Sequence, residues 1–120
     1  MSLLTKGIDA AAAEGALLAE GKCIGVLGVP HEKAKGLLYD ELAVRGALVS
    51  ELPPGTESGK SFFRTRNRIA AGLAVGVVVV EAPVKSGTAL FAAEAAEQGK
   101  EIFAVPGNAD AVNSVGTNAL

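Results

Sequence analysis

The sequence has few of the residues on which several kinds of function depend. It contains one cysteine, one histidine and no tryptophan among 120 residues, and aromatic residues make up 4%. A single cysteine excludes an internal disulfide, and Cys23 lies in an apolar run, which predicts a buried thiol. His31, in a loop after a proline, is expected to be a surface or capping residue, and it cannot supply a zinc ligand set or a Ser-His-Asp triad. We predict no metal, no cofactor and no catalytic reaction.

Long apolar runs are also absent. The longest, around Val77–Val80, is too short to cross a bilayer, and the opening residues lack the signal-peptide pattern. These absences predict a cytoplasmic protein that makes no membrane contact. Eleven basic against thirteen acidic residues give a net charge of −2. Any affinity for nucleic acid must therefore come from a local basic patch.

Apolar residues make up 49% of the chain, and four short segments rich in them are predicted strands. These segments are Lys22–Gly28, Ala47–Glu51, Gly76–Glu81 and Glu101–Pro106. They alternate with helix-length segments, and polar residues hardly interrupt them. This pattern predicts an α/β fold of three layers, with a mainly parallel sheet of about four or more strands covered by helices on both faces. A single domain is expected to span residues 1–120.

Four helices are predicted, each ending at or near a glycine. They are Ile8–Glu20, Glu32–Arg45, Phe63–Ala74 and Thr88–Gln98. The segment Leu52–Lys60 has the composition of a turn followed by a mobile loop, and no clear periodicity follows Pro106. In an open parallel sheet, ligands bind at the carboxyl ends of the strands, so we expect four loops to share one functional edge. These loops are Gly28–His31, Glu51–Pro54, Glu81–Thr88 and Pro106–Asn108.

The loop Glu81–Thr88 joins a predicted buried strand to a helix. Ser86 is placed to cap the helix, Gly87 permits close backbone approach, and Lys85 adds a positive charge. Such a loop could hold a phosphate through its N–H groups. It lacks the glycine spacing of a P-loop or a dinucleotide fingerprint, so the residues alone favour a plain helix cap.

The segment Lys60–Arg68 concentrates four positive charges at the start of the third helix. Arg64 and Arg68 are four residues apart and share a helix face, which suits phosphate contact. Arg66 lies nearer the inward stripe, where it could anchor a loop or a carboxylate instead. A solvated basic face is an equally good interpretation of the same residues.

Several motifs together resemble the DprA/Smf family of DNA-processing proteins, in their order and separation as well as in their residues. The matching segments are Gly7–Ala12, Leu48–Gly55, Arg66–Leu73, Val78–Ala82, Ser86–Thr88, Ala95–Lys100, Phe103–Gly107 and Gly116–Leu120. The resemblance covers nearly the whole chain, and such a series is more specific than any one short motif.

The resemblance implies an extended Rossmann-like fold that binds single-stranded DNA through backbone contacts, forms a homodimer and loads a RecA-type recombinase during natural transformation. It implies no established catalytic reaction. By position, it carries over Arg66, Asn67, Arg68, the Ser86-Gly87 turn and Lys100. A protein that binds the DNA backbone needs cations and amides more than stacking aromatics, which agrees with this composition. With the residue-based candidates, the predicted DNA-binding set is Lys60, Arg64, Arg66, Asn67, Arg68, Lys85, Ser86, Gly87, Thr88 and Lys100.

The chain departs from the family pattern near its start. Members normally carry an earlier strand and a glycine-rich turn with an arginine before the Gly-Ile-Asp motif, so we expect an N-terminally incomplete domain that lacks part of the phosphate pocket. Ala13 stands where the family has histidine. Two alternatives remain: a related nucleotide-binding or nucleoside-monophosphate phosphoribohydrolase-like enzyme, and an interaction module whose exposed sheet edge pairs with another chain. Only the Gly-Thr of the hydrolase loop is present, and Glu94 is the first acid after it.

Overall fold

A computed structural model describes all 120 residues and contains every helix and strand that the sequence predicts. The five α-helices are α1 (Ile8–Leu18), α2 (Leu37–Arg45), α3 (Lys60–Leu73), α4 (Gly87–Glu97) and α5 (Val115–Ala119). The four strands are β1 (Ile24–Val26), β2 (Ala47–Val49), β3 (Gly76–Val79) and β4 (Glu101–Ala104). Two short 3₁₀ helices cover His31–Lys33 and Val112–Ser114. None of the helices is both long and apolar enough to span a membrane.

The largest difference from prediction lies in the second helix, which begins at Leu37 instead of Glu32. Gly36 precedes it with φ +133°, a conformation that a helix cannot contain and that glycine adopts without strain. The residues before Gly36 form the 3₁₀ helix His31–Lys33 instead. At the other end of the chain, α5 was not predicted, because five residues are too few to show a helical period.

The chain divides into two compact units, residues 1–70 and 71–120. In the first unit β1 pairs in parallel with β2, with Gly25 opposite Leu48. Ser2 extends this pairing on the other side of β1, because its N–H donates to the Ile24 carbonyl at 2.8 Å and its carbonyl accepts from Val26 at 3.0 Å. In the second unit β3 pairs in parallel with β4, with Val78 opposite Phe103.

The α/β class and the parallel pairing of the strands are therefore confirmed. The strands form two separate two-stranded sheets, so the predicted continuous sheet of about four or more strands is not present as such. A three-layer arrangement around one sheet, and a single domain over residues 1–120, stay predictions.

The core of the first unit is a cluster of apolar side chains from α1, α2 and the segments around β1. Its buried members are Leu4, Ala13, Leu17, Cys23, Leu27 and Leu42. The predicted burial of the Cys23 thiol is thus confirmed. Gly46 lets β2 approach β1 closely, because a Cβ atom at this position would overlap the Cys23 carbonyl oxygen.

The second unit packs α4 against both of its strands. Val77 and Val79 of β3 are buried, as are three residues of α4, which are Phe91, Ala92 and Ala95. The alternate residues face solvent: Val78 is 64% exposed and Phe103, its partner on β4, is 57% exposed. That helices cover both faces of the sheet stays a prediction.

Candidate nucleic-acid interface

Helix α3 carries the densest positive charge in the chain. Its 14 residues include four cations and no acidic residue. Lys60, Arg64 and Arg68 follow one another at intervals of four, so they form a stripe along one side of the helix. All three are exposed, and Arg64 has no carboxylate within ion-pair distance. We refer to these three residues as the cation stripe.

Arg68, the last member of the cation stripe, forms an ion pair with Glu51. Glu51 follows β2, and its carboxylate accepts a hydrogen bond from the Arg68 guanidinium. The Arg68 side chain is 56% exposed, so solvent screens this pair, which contributes at most about 1 kcal/mol to stability. The pair orients Arg68 and offsets part of the charge that a phosphate would meet.

Arg66 has a different role from its two neighbouring arginines. It is only 4% exposed, and its Nη1 donates hydrogen bonds to the Leu3 carbonyl at 2.8 Å and the Val26 carbonyl at 2.6 Å. The Phe63 ring lies beside it, with its centroid 5.7 Å from Cζ. The sequence interpretation in which Arg66 anchors a loop is therefore confirmed, because this side chain holds the N-terminal segment and the end of β1.

The buried guanidinium of Arg66 has no carboxylate partner. Burial lowers the pKa of Arg66 below its ordinary value, and the charge of Asp9 partly offsets this effect. Its Nε has no hydrogen-bond partner. Because a guanidinium stays charged at neutral pH, the cation depends on main-chain carbonyl oxygens as its hydrogen-bond acceptors, with the charge of Asp9 and the Phe63 ring as further favourable contributions.

Asn67 is also buried, so the Arg66-Asn67-Arg68 motif divides by exposure. Only Arg68 offers its side chain to solvent. The periodicity of α3 predicted the inward position of Arg66, whereas nothing in the sequence separated Asn67 from the exposed set.

The loop before α4 contains a regular helix cap. The Ser86 hydroxyl accepts a hydrogen bond from the Ala89 N–H at 3.2 Å, which confirms the plain-cap interpretation. Lys85 has φ +57° and is exposed, as are Gly87 and Thr88. The first N–H groups of a helix have no partner within it, so the amides of Gly87 and Thr88 are donors available at this terminus.

Lys100 is half-buried, and its Nζ donates to the Gly72 carbonyl at 3.3 Å. This contact places the ammonium group at the carboxyl end of α3, where a cation is favourable. Part of the hydrogen-bonding capacity of Lys100 is therefore used within the second unit.

The segment after β2 is held by residues that the sequence analysis did not single out. Glu32 Oε1 accepts the Gly55 N–H at 2.6 Å, and Lys33 Nζ donates to the Thr56 carbonyl at 2.9 Å. The Gly55 N–H lowers the pKa of Glu32, and the N–H of Glu32 itself and the charges of Lys33 and His31 add to the effect. The predicted mobile loop therefore begins with a fastened turn.

His31 lies on the surface, as predicted, with its Nε2 at 3.1 Å from the Leu48 carbonyl oxygen. Ser50 supports the same region, because its hydroxyl donates to the Val29 carbonyl at 2.8 Å. The loops after β1 and β2 are thus joined at the carboxyl edge of their sheet. That all four loops share one edge stays a prediction. No group of three or more His, Cys, Asp or Glu side chains is arranged to hold a metal ion.

The C-terminal residues fasten the corresponding loops of the second unit. Asn118 pairs twice with Gly107, through Oδ1 to its N–H at 3.0 Å and Nδ2 to its carbonyl at 3.1 Å. The Gly116 N–H donates to the Ala82 carbonyl at 2.8 Å, and a Cβ atom on Gly116 would overlap that carbonyl oxygen. The Gly-x-Asn stretch, noticed in the sequence only as a resemblance, has this structural role.

Parallel strand pairs, connecting helices and polar loops at the carboxyl ends of the strands define an α/β protein. The chain belongs to the family of DNA recombination-mediator protein A, whose family model matches residues 1–120.

Several curated relatives are about 40% identical to the chain over the aligned residues. It is 41% identical over 114 residues to the DNA processing protein DprA of Bacillus subtilis, which covers 90% of this chain and 38% of the relative. It is 43% identical over 109 residues to the protein Smf of Escherichia coli, which covers 87% of this chain and 29% of the relative. The chain therefore spans about two-fifths or less of the length of these relatives.

A solved structure gives the same result for the fold. The X-ray structure of DNA processing protein A from Streptococcus pneumoniae superimposes with a TM-score of 0.85 at 38% identity, over 95% of this chain and 42% of that one. The predicted resemblance to the DprA/Smf family is confirmed.

Proposed function

We propose that this chain binds single-stranded DNA through its backbone phosphates, as part of a DNA-processing protein. The observation that carries the proposal is the cation stripe, in which Lys60 and Arg64 are exposed without a carboxylate partner. A neutral or basic ligand would gain nothing from this arrangement. A polyanion would gain a phosphate contact at each cation and release counterions as it bound.

The charge of α3 contrasts with that of the whole chain. The helix carries four positive charges, whereas the chain has a net charge of −2. Nucleic acid should therefore approach this surface in particular, and the interaction should weaken steeply with salt.

The candidate residues divide into two groups under this proposal. The cation stripe contacts phosphates directly, with further contacts from Lys85, Lys100 and the N-terminal turn of α4, which comprises Ser86, Gly87 and Thr88. Arg66 acts indirectly, because it is buried and its hydrogen bonds to Leu3 and Val26 hold α3 in position, and Asn67 is also too buried to contact DNA.

The choice of single strands rests on the form of the proposed surface. The stripe places cations at successive turns of one helix, which suits a flexible single strand whose backbone can follow them. Phe63, 43% exposed beside Arg66, offers one aromatic edge near the stripe. Backbone contact is thus the main source of affinity.

The wider role follows from family membership. We propose that the full protein acts in the cytoplasm as a homodimer, delivers single-stranded DNA to a RecA-type recombinase and supports natural transformation. These roles are proposed for a full-length protein. The chain itself aligns with only 38% and 29% of the length of the two relatives named above.

The proposal is tested by fluorescence anisotropy of a labelled single-stranded oligonucleotide titrated with this chain at low and high salt. Duplex DNA and nucleoside monophosphates serve as competitors. Binding that prefers single strands and weakens with salt is expected. Absence of binding at low salt by the folded chain would overturn the proposal, and displacement by nucleoside monophosphates would favour the phosphoribohydrolase-like alternative.

A further inference from the structure

Residues of the 3₁₀ helix His31–Lys33 reach across from the end of β1 to the segment that follows β2. Glu32 accepts the Gly55 N–H, and Lys33 donates to the Thr56 carbonyl. His31 lies within hydrogen-bond distance of the Leu48 carbonyl oxygen. Glu32 and Lys33 thus bond to main-chain atoms of the segment after β2, and His31 lies against a main-chain atom of β2 itself. We call this set of contacts the loop clip.

The loop clip acts on a turn that leads directly to the cation stripe. The Thr56 N–H and hydroxyl both bond to the Pro53 carbonyl, at 3.2 and 2.7 Å, and Gly55 has φ +83°. Three residues separate Thr56 from Lys60, so their Cα atoms lie within about 14 Å of each other even in a fully extended chain. Fixing Gly55 and Thr56 therefore limits where α3 and its first cation can lie.

The contacts of Glu32 and Lys33 are not explained by charge neutralisation. Neither side chain forms an ion pair, and both residues are exposed to solvent. Each satisfies a main-chain group of the turn instead. Without them the Gly55 N–H and the Thr56 carbonyl would bond to water, and the loop would gain conformational freedom.

We infer that Glu32 is a positioning residue for nucleic-acid binding, which acts by holding the turn at Gly55 and thereby the start of the cation stripe. The expected effect of Glu32 on DNA binding rests on the proposed function. The existence of the loop clip itself can be tested without any ligand.

The test compares Glu32→Ala with Glu32→Gln in the full 120-residue chain. Both variants remove the same negative charge, but the glutamine carbonyl oxygen still accepts the Gly55 N–H. The first measurement is amide hydrogen exchange at Gly55, with the Gly107 amide as an internal reference. The second is the affinity for a labelled single-stranded oligonucleotide. Glu57→Ala is the control, because it removes an exposed loop carboxylate that makes no contact.

In Glu32→Ala we expect Gly55 exchange to be about two- to fivefold faster, and DNA binding about two- to fivefold weaker, than in Glu32→Gln. Glu57→Ala should leave exchange at Gly55 unchanged. Equal exchange in the two Glu32 variants would overturn the loop clip, and faster exchange with equal affinity would overturn its role in binding. If the unaltered chain binds no DNA, the proposed function is wrong and so is the role of Glu32 in binding. The exchange result still decides whether the loop clip exists.

Discussion

The two units of the chain hold the loops at the carboxyl ends of their strands by different means. In residues 1–70 charged side chains form the ties, as in Glu32 to Gly55 and Arg68 to Glu51. In residues 71–120 main-chain groups and side-chain amides form most of the ties, as in Gly116 to Ala82 and Asn118 to Gly107, and the Glu81 carboxylate accepts one bond from Asn113. We therefore expect the ties of the first unit to depend more on charge and pH than those of the second.

The distribution of charge follows the same division. The first unit has nine basic and eight acidic residues, a net charge of +1, and the second has two basic and five acidic residues, a net charge of −3. Exposed cations are therefore concentrated in the first unit, and the second has an exposed apolar sheet face. We expect the first unit to dominate contact with a polyanion.

The largest expected effect contrasts Arg66 and Lys100, two of the basic side chains that bond to main-chain carbonyls. Arg66→Met should lower the free energy of unfolding by about 3 kcal/mol, since it leaves the Leu3 and Val26 carbonyls without their partner in a buried site. Lys100→Met, which removes one longer bond at a half-buried site, should cost less than about 1 kcal/mol. Urea denaturation followed by circular dichroism measures both, and similar losses would contradict the anchoring role of Arg66.

A second prediction compares two glycines. Gly116→Ala should destabilise the chain by about 2 kcal/mol, because the new methyl group would overlap the Ala82 carbonyl oxygen. Gly15→Ala, in the middle of α1 with nothing near its Cβ position, should instead stabilise it by about 0.5–1 kcal/mol. The same denaturation experiment gives both signs. A neutral result for Gly116→Ala would mean that the C-terminal residues do not fasten the Ala82 loop.

The third prediction concerns DNA affinity. Arg64→Ala with Arg68→Ala should weaken binding of single strands about tenfold at low salt, and should reduce the slope of log affinity against log salt by about 1.4. Lys85→Ala with Lys100→Ala should have a smaller effect, because Lys100 is partly engaged with Gly72.

Glu51→Gln is the matched control for this experiment. It removes the ion pair of Arg68 but keeps the arginine, so binding should be unchanged or tighter. Weaker binding by Glu51→Gln would mean that Arg68 needs its carboxylate partner to bind DNA. Equal losses from the two double variants would remove the contrast between the units. Circular dichroism checks that each variant is folded.

The smallest expected effect is a pH dependence confined to the first unit. The pKa of Glu32 is lowered in the folded chain, chiefly by the Gly55 N–H. Its stabilising contact is therefore fully present above the ordinary glutamate pKa of 4.5 and is lost as the pH falls through the lower folded value. His31 and Lys33 are the charged groups beside it.

Amide exchange of a dilute sample between about pH 5 and pH 3, corrected for the intrinsic rate, tests this prediction. Protection at Gly55 should decrease with acid, whereas protection at Gly107, which bonds to the neutral Asn118, should not. Glu32→Gln should abolish the dependence. Parallel loss at both glycines would indicate global acid unfolding instead of local release.

The sequence was sufficient to predict the number, type and approximate bounds of the longer elements. The strands were predicted from apolar segments bounded by glycines. The helical period of α3 predicted that Arg66 lies on its inward side. The predicted start of α2 was wrong by five residues. Gly36 prevents the helix from beginning earlier only because of its positive φ angle, and the sequence does not show which φ angle a glycine adopts. A continuous sheet was predicted because apolar strands do not reveal which neighbours they pair with.

The tertiary partners in the candidate interface could not be predicted. Arg66 bonds to carbonyls 63 and 40 residues away, and any residue type supplies a carbonyl. The Arg68–Glu51 pair joins residues 17 positions apart in different elements, so helical spacing does not reveal it. Glu32 and Lys33 could not be distinguished from ordinary surface charges in the sequence. Their partners, like those of Arg66, are main-chain atoms, which every residue type supplies.

The open face of the β3–β4 sheet affects how the molecule behaves in concentrated solution. Val78 and Phe103 are exposed apolar side chains on the second unit, which has a net charge of −3. Such a patch favours association, but repulsion between like-charged copies opposes contact between these patches at neutral pH. The net charge of the whole chain is −2 at neutral pH and reaches zero near its isoelectric point of about 5.4, where repulsion between copies is weakest. Precipitation should therefore be fastest around that pH, and stocks for spectroscopy or crystallisation should be kept well above it.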